Sequence, residues 1–262
     1  MGNSIHRTLQ RALASMALAL LLGFAPASAQ QAGETPPEVQ RAVRELSRAA
    51  FKDIPLIKEA INRGAYADAE RMAREGLAIM PKTGRLLGLQ AEALLRAGRN
   101  AEALAALNDY REPSRNDAWR ARVALLKFRL GHKQESLQLA NQGMVKDLLP
   151  THLKDHYPSP KTIIEVEAYW LFAIGLQENE TANNEYYFLA SHRLRPQPVA
   201  LNALLGNVLS ERKKFEQAIA CFDVVIASHP DPKYVRSKKF DRAYAEGQLR
   251  RDQSKARSGI GG

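Results

Sequence analysis

The chain has 262 residues, with 38 Lys+Arg against 28 Asp+Glu, a formal charge of +10 and 45% hydrophobic content. That apolar fraction excludes a disordered chain, and the length allows one or two ordinary domains. A single Cys excludes an intramolecular disulfide framework and a Cys-rich metal site.

Residues 1–29 read as a secretory signal peptide. Arg7 and Arg11 form a positive start, and Ala12 to Ala25 is an uncharged apolar run. The run ends in Pro26-Ala27-Ser28-Ala29, small residues that suit cleavage after Ala29. Fourteen residues rise about 21 Å as a helix, too short for a hydrocarbon core about 30 Å thick. With no disulfide pairs in the remainder, the expected location is the periplasm, with Gln30 as the mature N-terminus. Residues 30–49 then hold a polar linker, up to Pro36, and an N-terminal capping helix. The helix signal is Val39, Ala42, Val43, Leu46 and Ala50 at helical spacing, and it extends to residue 51.

Beyond it the sequence repeats. Gly64, Gly98 and Gly131 are spaced by 34 and 33 residues, and Pro196 and Pro230 by 34. Each mark carries a similar pattern: Arg63-Gly64-Ala65-Tyr66-Ala67-Asp68-Ala69, Ala97-Gly98-Arg99-Asn100-Ala101-Glu102-Ala103, and Lys213-Lys214-Phe215-Glu216-Gln217-Ala218. Helical periodicity runs through Leu86, Leu87, Leu89, Leu94 and Leu95, then through Ala101, Leu104, Ala105 and Leu107.

This pattern resembles the tetratricopeptide repeat, a 34-residue helix–turn–helix unit. The copy over 199–232 matches at Gly206, Phe215, Ala218, Phe222 and Pro230. The copy from Gly84 matches at Leu87, Ala91, Leu94, Gly98, Ala103 and Leu107. The copy over 117–150 matches at Ala124, Gly131 and Ala140, with Ser136 at the usual Ala position. The copy over 165–198 matches at Leu171, Phe188 and Pro196, with Asn184 at the Ala position. The copy over 50–83 matches in its second helix, and Pro55 sets the start of its first helix near Ile54. The resemblance implies an all-α fold, an α-solenoid of stacked helix pairs, with copies one to three over 50–150 and copies four and five over 165–232.

Residues 151–164 interrupt the array with His152, His156, Pro158 and Pro160, a loop or broken helix expected to split it into two lobes. Residues 233–262 follow the last copy. Tyr234, Val235, Phe240 and Tyr244 predict a second capping helix over the fifth copy. Arg250, Arg251, Lys255 and Arg257 then form a basic tail ending in a frayed Ser258–Gly262. Residues 231–262 hold nine basic against four acidic groups, so much of the excess charge lies there.

His152, Asp155 and His156 place two imidazoles at i and i+4 with an acid between, a spacing that can hold zinc. No third ligand is apparent. A phosphate loop, a dinucleotide-binding glycine motif and a nucleophile elbow are all absent. The expectation is no enzyme, no metal and no cofactor, with a metal-dependent enzyme on 151–164 as the open alternative. Cys221 reads as a small core residue.

The resemblance further implies a concave groove lined by the first helix of each copy, which takes a protein or peptide partner. Its expected residues are Arg85, Glu92 and Arg96, then Leu125, Phe128 and Arg129, then Tyr169 and Gln177, then Asn207 and Glu211. Arg96 and Arg129 would meet carboxylates, and Phe128 and Tyr169 would anchor an apolar side chain. The implied role is a non-enzymatic adaptor in assembling a cell-envelope complex for secretion, pilus formation, polysaccharide export or cell-wall growth. The tail suggests docking on an anionic envelope surface, and export argues against nucleic acid as a partner.

Overall fold

A computed structural model describes residues 37–109, 117–142 and 144–257 of the chain. The expected signal peptide with its cleavage site, the 30–36 linker and the frayed end at 258–262 lie outside the described residues. Among the described residues there is no strand; the fold is all-α, with thirteen α-helices and one 3-10 helix. They fall into two compact units, one of 37–99 with 109, the other of 100–108 with 117 onward.

The first unit holds α1 (Pro37–Phe51), α2 (Ile54–Asn62), α3 (Tyr66–Ile79) and α4 (Gly84–Arg96). Proline sits in the first turn of α2, where its missing N–H costs nothing. Ala50, Ile54, Ile57, Ala60, Ile61, Ala69, Ala73, Leu86 and Ala93 form its core. Helix α1 closes tightly over α3 and α4, because Gly76 has no side chain. A Cβ there would lie 2.7 Å from the Ala50 carbonyl oxygen and 2.8 Å from Leu86.

The second unit begins with α5 (Asn100–Asn108), α6 (Asp117–Arg129), α7 (Lys133–Ala140) and the short α8 (Met144–Leu148). The 3-10 helix at Thr151–His156 follows. Then come α9 (Ile163–Gly175), α10 (Thr181–Leu194), α11 (Val199–Glu211), α12 (Phe215–Ser228) and α13 (Pro232–Arg257). Neighbours in sequence are neighbours in space: α6 packs on α7, α9 on α10, α10 on α11, α11 on α12 and α12 on α13. Helix α9 also packs on α6, three helices back.

One helix-to-helix turn is built four times. After α2, Gly64 N–H donates to the Ile61 carbonyl at 3.1 Å and Ala65 N–H to Ala60 at 2.8 Å. The same pair of bonds recurs as Gly98 to Leu95 with Arg99 to Leu94, and as Gly131 to Phe128 with His132 to Lys127. It recurs once more as Lys213 to Ser210 with Lys214 to Leu209. Both bonds need a left-handed residue after the helix, which satisfies the last orphan carbonyls. Gly64, Gly98 and Gly131 have φ of 80°, 77° and 97°, and Lys213 takes the same place at 61°.

The turn after α9 has no left-handed residue. Asn184 closes it instead: its side-chain N–H donates to the carbonyls of Gly175 at 2.8 Å and Glu178 at 3.0 Å. The departure from alanine at 184 thus supplies the donors that the backbone turn supplies elsewhere. Ser136, the other departure, is fully buried; it donates to the Ala124 carbonyl at 2.9 Å and accepts from the Trp170 indole at 2.8 Å.

The 151–164 segment does not divide the fold. It lies within the second unit, whereas the boundary between units falls near 99–112. Leu153 and Tyr157 are buried, and the Tyr157 ring stacks on Phe172 at 4.1 Å. Arg195 donates to the Pro158 carbonyl at 2.9 Å and lies over the Tyr157 ring. Tyr157 holds the segment against α9, and the 3-10 helix packs on α8 and α11.

Candidate functional site

The expected groove residues divide between the units: Arg85, Glu92 and Arg96 in the first, the other seven in the second. Arg85 is exposed. Glu92 and Arg96 lie one helical turn apart and bond to each other at 2.7 Å, with side chains 7% and 3% exposed. An ion pair this deep serves the fold. Separating it to reach a partner would strand a charge in an apolar setting.

In the second unit Leu125, Phe128 and Tyr169 are core, not anchors for a ligand. Leu125 is fully buried, Phe128 is buried, and Tyr169 is 1% exposed. The Tyr169 hydroxyl accepts from the Val145 N–H at 3.1 Å, fastening α8 to α9. Helical spacing put these residues on the right helices, but the packed side of each helix is wider than the groove assignment allowed. Burial pushes the Tyr169 hydroxyl above its ordinary pKa.

The polar members of the set do reach the surface. Arg129 on α6 donates to Glu167 on α9 at 2.8 Å, and Arg122 pairs with Glu178 beyond the end of α9. Thr181 donates to Glu211 at 3.4 Å. Gln177 is half-buried and its side chain contacts the Ala173 carbonyl at 3.4 Å. Asn207 accepts from Lys238 of α13 at 2.9 Å. These contacts make up a polar seam: Arg129–Glu167 joins α6 to α9, Thr181–Glu211 joins the start of α10 to α11, and Asn207–Lys238 joins α11 to α13.

The histidine pair does not converge on a metal site. The ring of His152 meets Tyr234 at 4.8 Å, while that of His156 meets His229 at 4.2 Å. Asp155 is exposed and pairs with Lys146 at 2.9 Å, which lowers its pKa. His229 Nδ1 accepts from the Asp231 N–H at 3.1 Å and its Nε2 lies 3.4 Å from the His152 carbonyl oxygen. Among the described residues no group of three His, Cys, Asp or Glu side chains is placed to hold a metal ion. The four rings tie the 3-10 helix to the start of α13, a link across 77 positions that sequence spacing does not register. Cys221 is buried, and burial pushes its thiol up to about 11, well above the reactive range.

The first unit carries an open depression of about 530 Å³ lined by Glu70, Arg71, Arg74, Glu75 and Arg99 among others. Its charges answer one another: Glu70 pairs with Arg74 and Arg99, and Arg71 with Asp68 and Glu75.

Helix α13 differs from its expected course. It continues without a break to Arg257, so Arg250, Arg251, Lys255 and Arg257 stand on a regular helix. Phe240 and Tyr244 do not cap the fold; they are 75% and 55% exposed. The capping contacts come from Lys238 and Ala245, both buried. Lys238 donates to Asp241 at 2.7 Å as well as to Asn207, and lies over the Phe222 and Tyr234 rings. Burial and the neighbouring Asp241 push the Tyr234 hydroxyl up to about 12.

No family model and no curated protein matches the sequence.

Proposed function

We propose that the chain is a non-enzymatic helical-repeat adaptor of the tetratricopeptide type, exported to the periplasm, that holds a protein or peptide partner during assembly of a cell-envelope complex. The observation that carries this reading is the fourfold turn at Gly64, Gly98, Gly131 and Lys213, with the same two backbone bonds each time. Repeated helix pairs that pack on their neighbours are a common basis for binding faces. The fold alone does not fix a function. The choice of adaptor over enzyme rests on the histidine segment, whose rings point into packing contacts. Export rests on the signal-like pattern at 1–29.

The partner face under this reading is the polar seam of α6, α9 and α11. A crosslinking pull-down from intact envelope tests it, with wild type beside Arg129→Glu and Glu211→Lys. The expected result is a defined partner captured by wild type and lost from the double variant, with thermal unfolding unchanged. Equal capture by both proteins would reject the seam. Mass spectrometry of the exported protein is expected to find Gln30 first; an intact Met1 would reject the export step.

A further inference from the structure

Helix α13 has two sides of opposite character. Tyr234, Val235, Lys238, Asp241, Arg242, Ala245, Glu246, Gln248 and Leu249 are buried or half-buried. The opposite side carries Lys233, Arg236, Phe240, Tyr244, Arg251 and Lys255, at steps of three, four or seven residues, and every one of these is exposed. The positions between them on that side are Ser237, Ala243, Gly247 and Ser254. No acid lies within the stripe. Asp231 and Asp252 point well off it on a helical projection, and Asp241 and Glu246 are held by Lys238 and by Arg242 with Arg250. Arg250, part of the expected tail, is therefore on another side of the helix.

Two exposed aromatics in the middle of a cationic stripe need a surface that accepts both. We propose that this side of α13 docks the protein, lengthwise, on a bilayer that carries anionic lipid. A rise of 1.5 Å per residue spreads the stripe over about 33 Å. The cations at its two ends complement phosphate headgroups, and Phe240 and Tyr244 sink between them to the boundary of the acyl region. Tyrosine suits that depth, with an apolar ring below and a wet hydroxyl above. Duplex nucleic acid fits less well, because the centre of the stripe offers one hydroxyl and no amide or guanidinium to a base edge. An acidic protein would satisfy the cations but leaves two aromatics without a matching apolar pocket. This docking surface is separate from the α6, α9 and α11 seam, so either can fail without the other.

The test is cosedimentation of the chain from Gln30 onward, without the apolar 12–25 run, with phosphatidylglycerol-containing or pure phosphatidylcholine vesicles. The expected result is salt-sensitive binding to the anionic vesicles alone. Arg236→Glu with Arg251→Glu should weaken it about tenfold or more, and so should Phe240→Ser with Tyr244→Ser, with thermal unfolding unchanged in both. Arg250→Glu with Arg257→Glu, off the stripe, should weaken it less. A Phe240→Trp variant should show a blue-shifted emission on adding anionic vesicles. No vesicle binding, equal loss from the off-stripe pair, or an unshifted emission would overturn the proposal. So would retention on DNA or acidic peptide that depends on the stripe while vesicles do not bind.

Discussion

Helices α9 and α13 belong to one unit and have opposite fates. In α9 nearly every side chain from Val166 to Gly175 is buried, whereas twice that length in α13 buries only Lys238 and Ala245. The cause is the number of neighbours. Helix α9 packs on α6, α7, α8 and α10, while α13 has α12 and a little of α11. A helix packed on four others is covered from several directions, and one packed on two keeps a side exposed. Past its first turns, where Tyr234 is still packed, an aromatic residue of α13 is therefore available, whereas one in α9 is core.

The sharpest test sets two phenylalanines against each other. Phe222 on α12 is fully buried and fills the space left by Gly206, where a Cβ would lie 2.6 Å from its ring. Phe222→Ala should cost about 3–5 kcal/mol, read as a large fall in the denaturant midpoint. Phe240→Ala should stay within about 0.5 kcal/mol of wild type. Similar losses from both would erase the contrast between the two regions.

Next in size is Asn184→Ala. It restores the alanine expected at that position, yet removes the side-chain donor to the Glu178 carbonyl and leaves the Gly175 carbonyl only the longer Glu178 N–H at 3.3 Å. A loss of about 1–2 kcal/mol in chemical denaturation is expected. A neutral result would mean that water replaces the asparagine and that the end of α9 is not closed by it.

A smaller effect of opposite sign comes from Lys213→Gly. Relief of a left-handed lysine should outweigh the added freedom of the unfolded chain and stabilise by about 0.5–1 kcal/mol. Gly98→Ala has open space for its Cβ but φ of 77°, so it should destabilise by about 1–2 kcal/mol. If the two melting shifts share a sign, the four turns are not equivalent.

The least effect is on pH dependence. Burial, then the nearby His229, hold His156 below its ordinary pKa of 6.5, and burial holds His192 below it too. As pH falls through the ordinary value, the unfolded chain takes up protons first. This contribution to stability is thus complete above about 6.5 and drains away below it, toward the depressed folded values. Melting temperatures across that interval should fall more gently for His156→Gln than for wild type; parallel curves would remove His156 from the account.

Much of the local structure was legible in the residues. Pro55 set the start of α2, Gly64, Gly98 and Gly131 marked three of the four turns that share the same pair of backbone bonds, and Val39 with Ala50 foretold the buried side of α1. These follow from backbone sterics and helical periodicity, which act within a few residues. Lys213 gave no such signal, because its left-handed backbone is imposed by the packing of α11 on α12 and not by its side chain. The 151–164 segment looked like a divider because its histidines and prolines are polar and helix-breaking. Only its packing on α8, α9 and α11, with Tyr234 against His152, made it part of the second unit. The same limit governed the surface. Sequence placed Phe128, Tyr169, Phe240 and Tyr244 on helices, but which of them face solvent depends on how many helices pack around each one. The residues by themselves determined the helices, their turns and the excess of positive charge toward the end. The tertiary structure decided which rings became core and which were left exposed among the arginines, since burial is a property of neighbours distant in the chain.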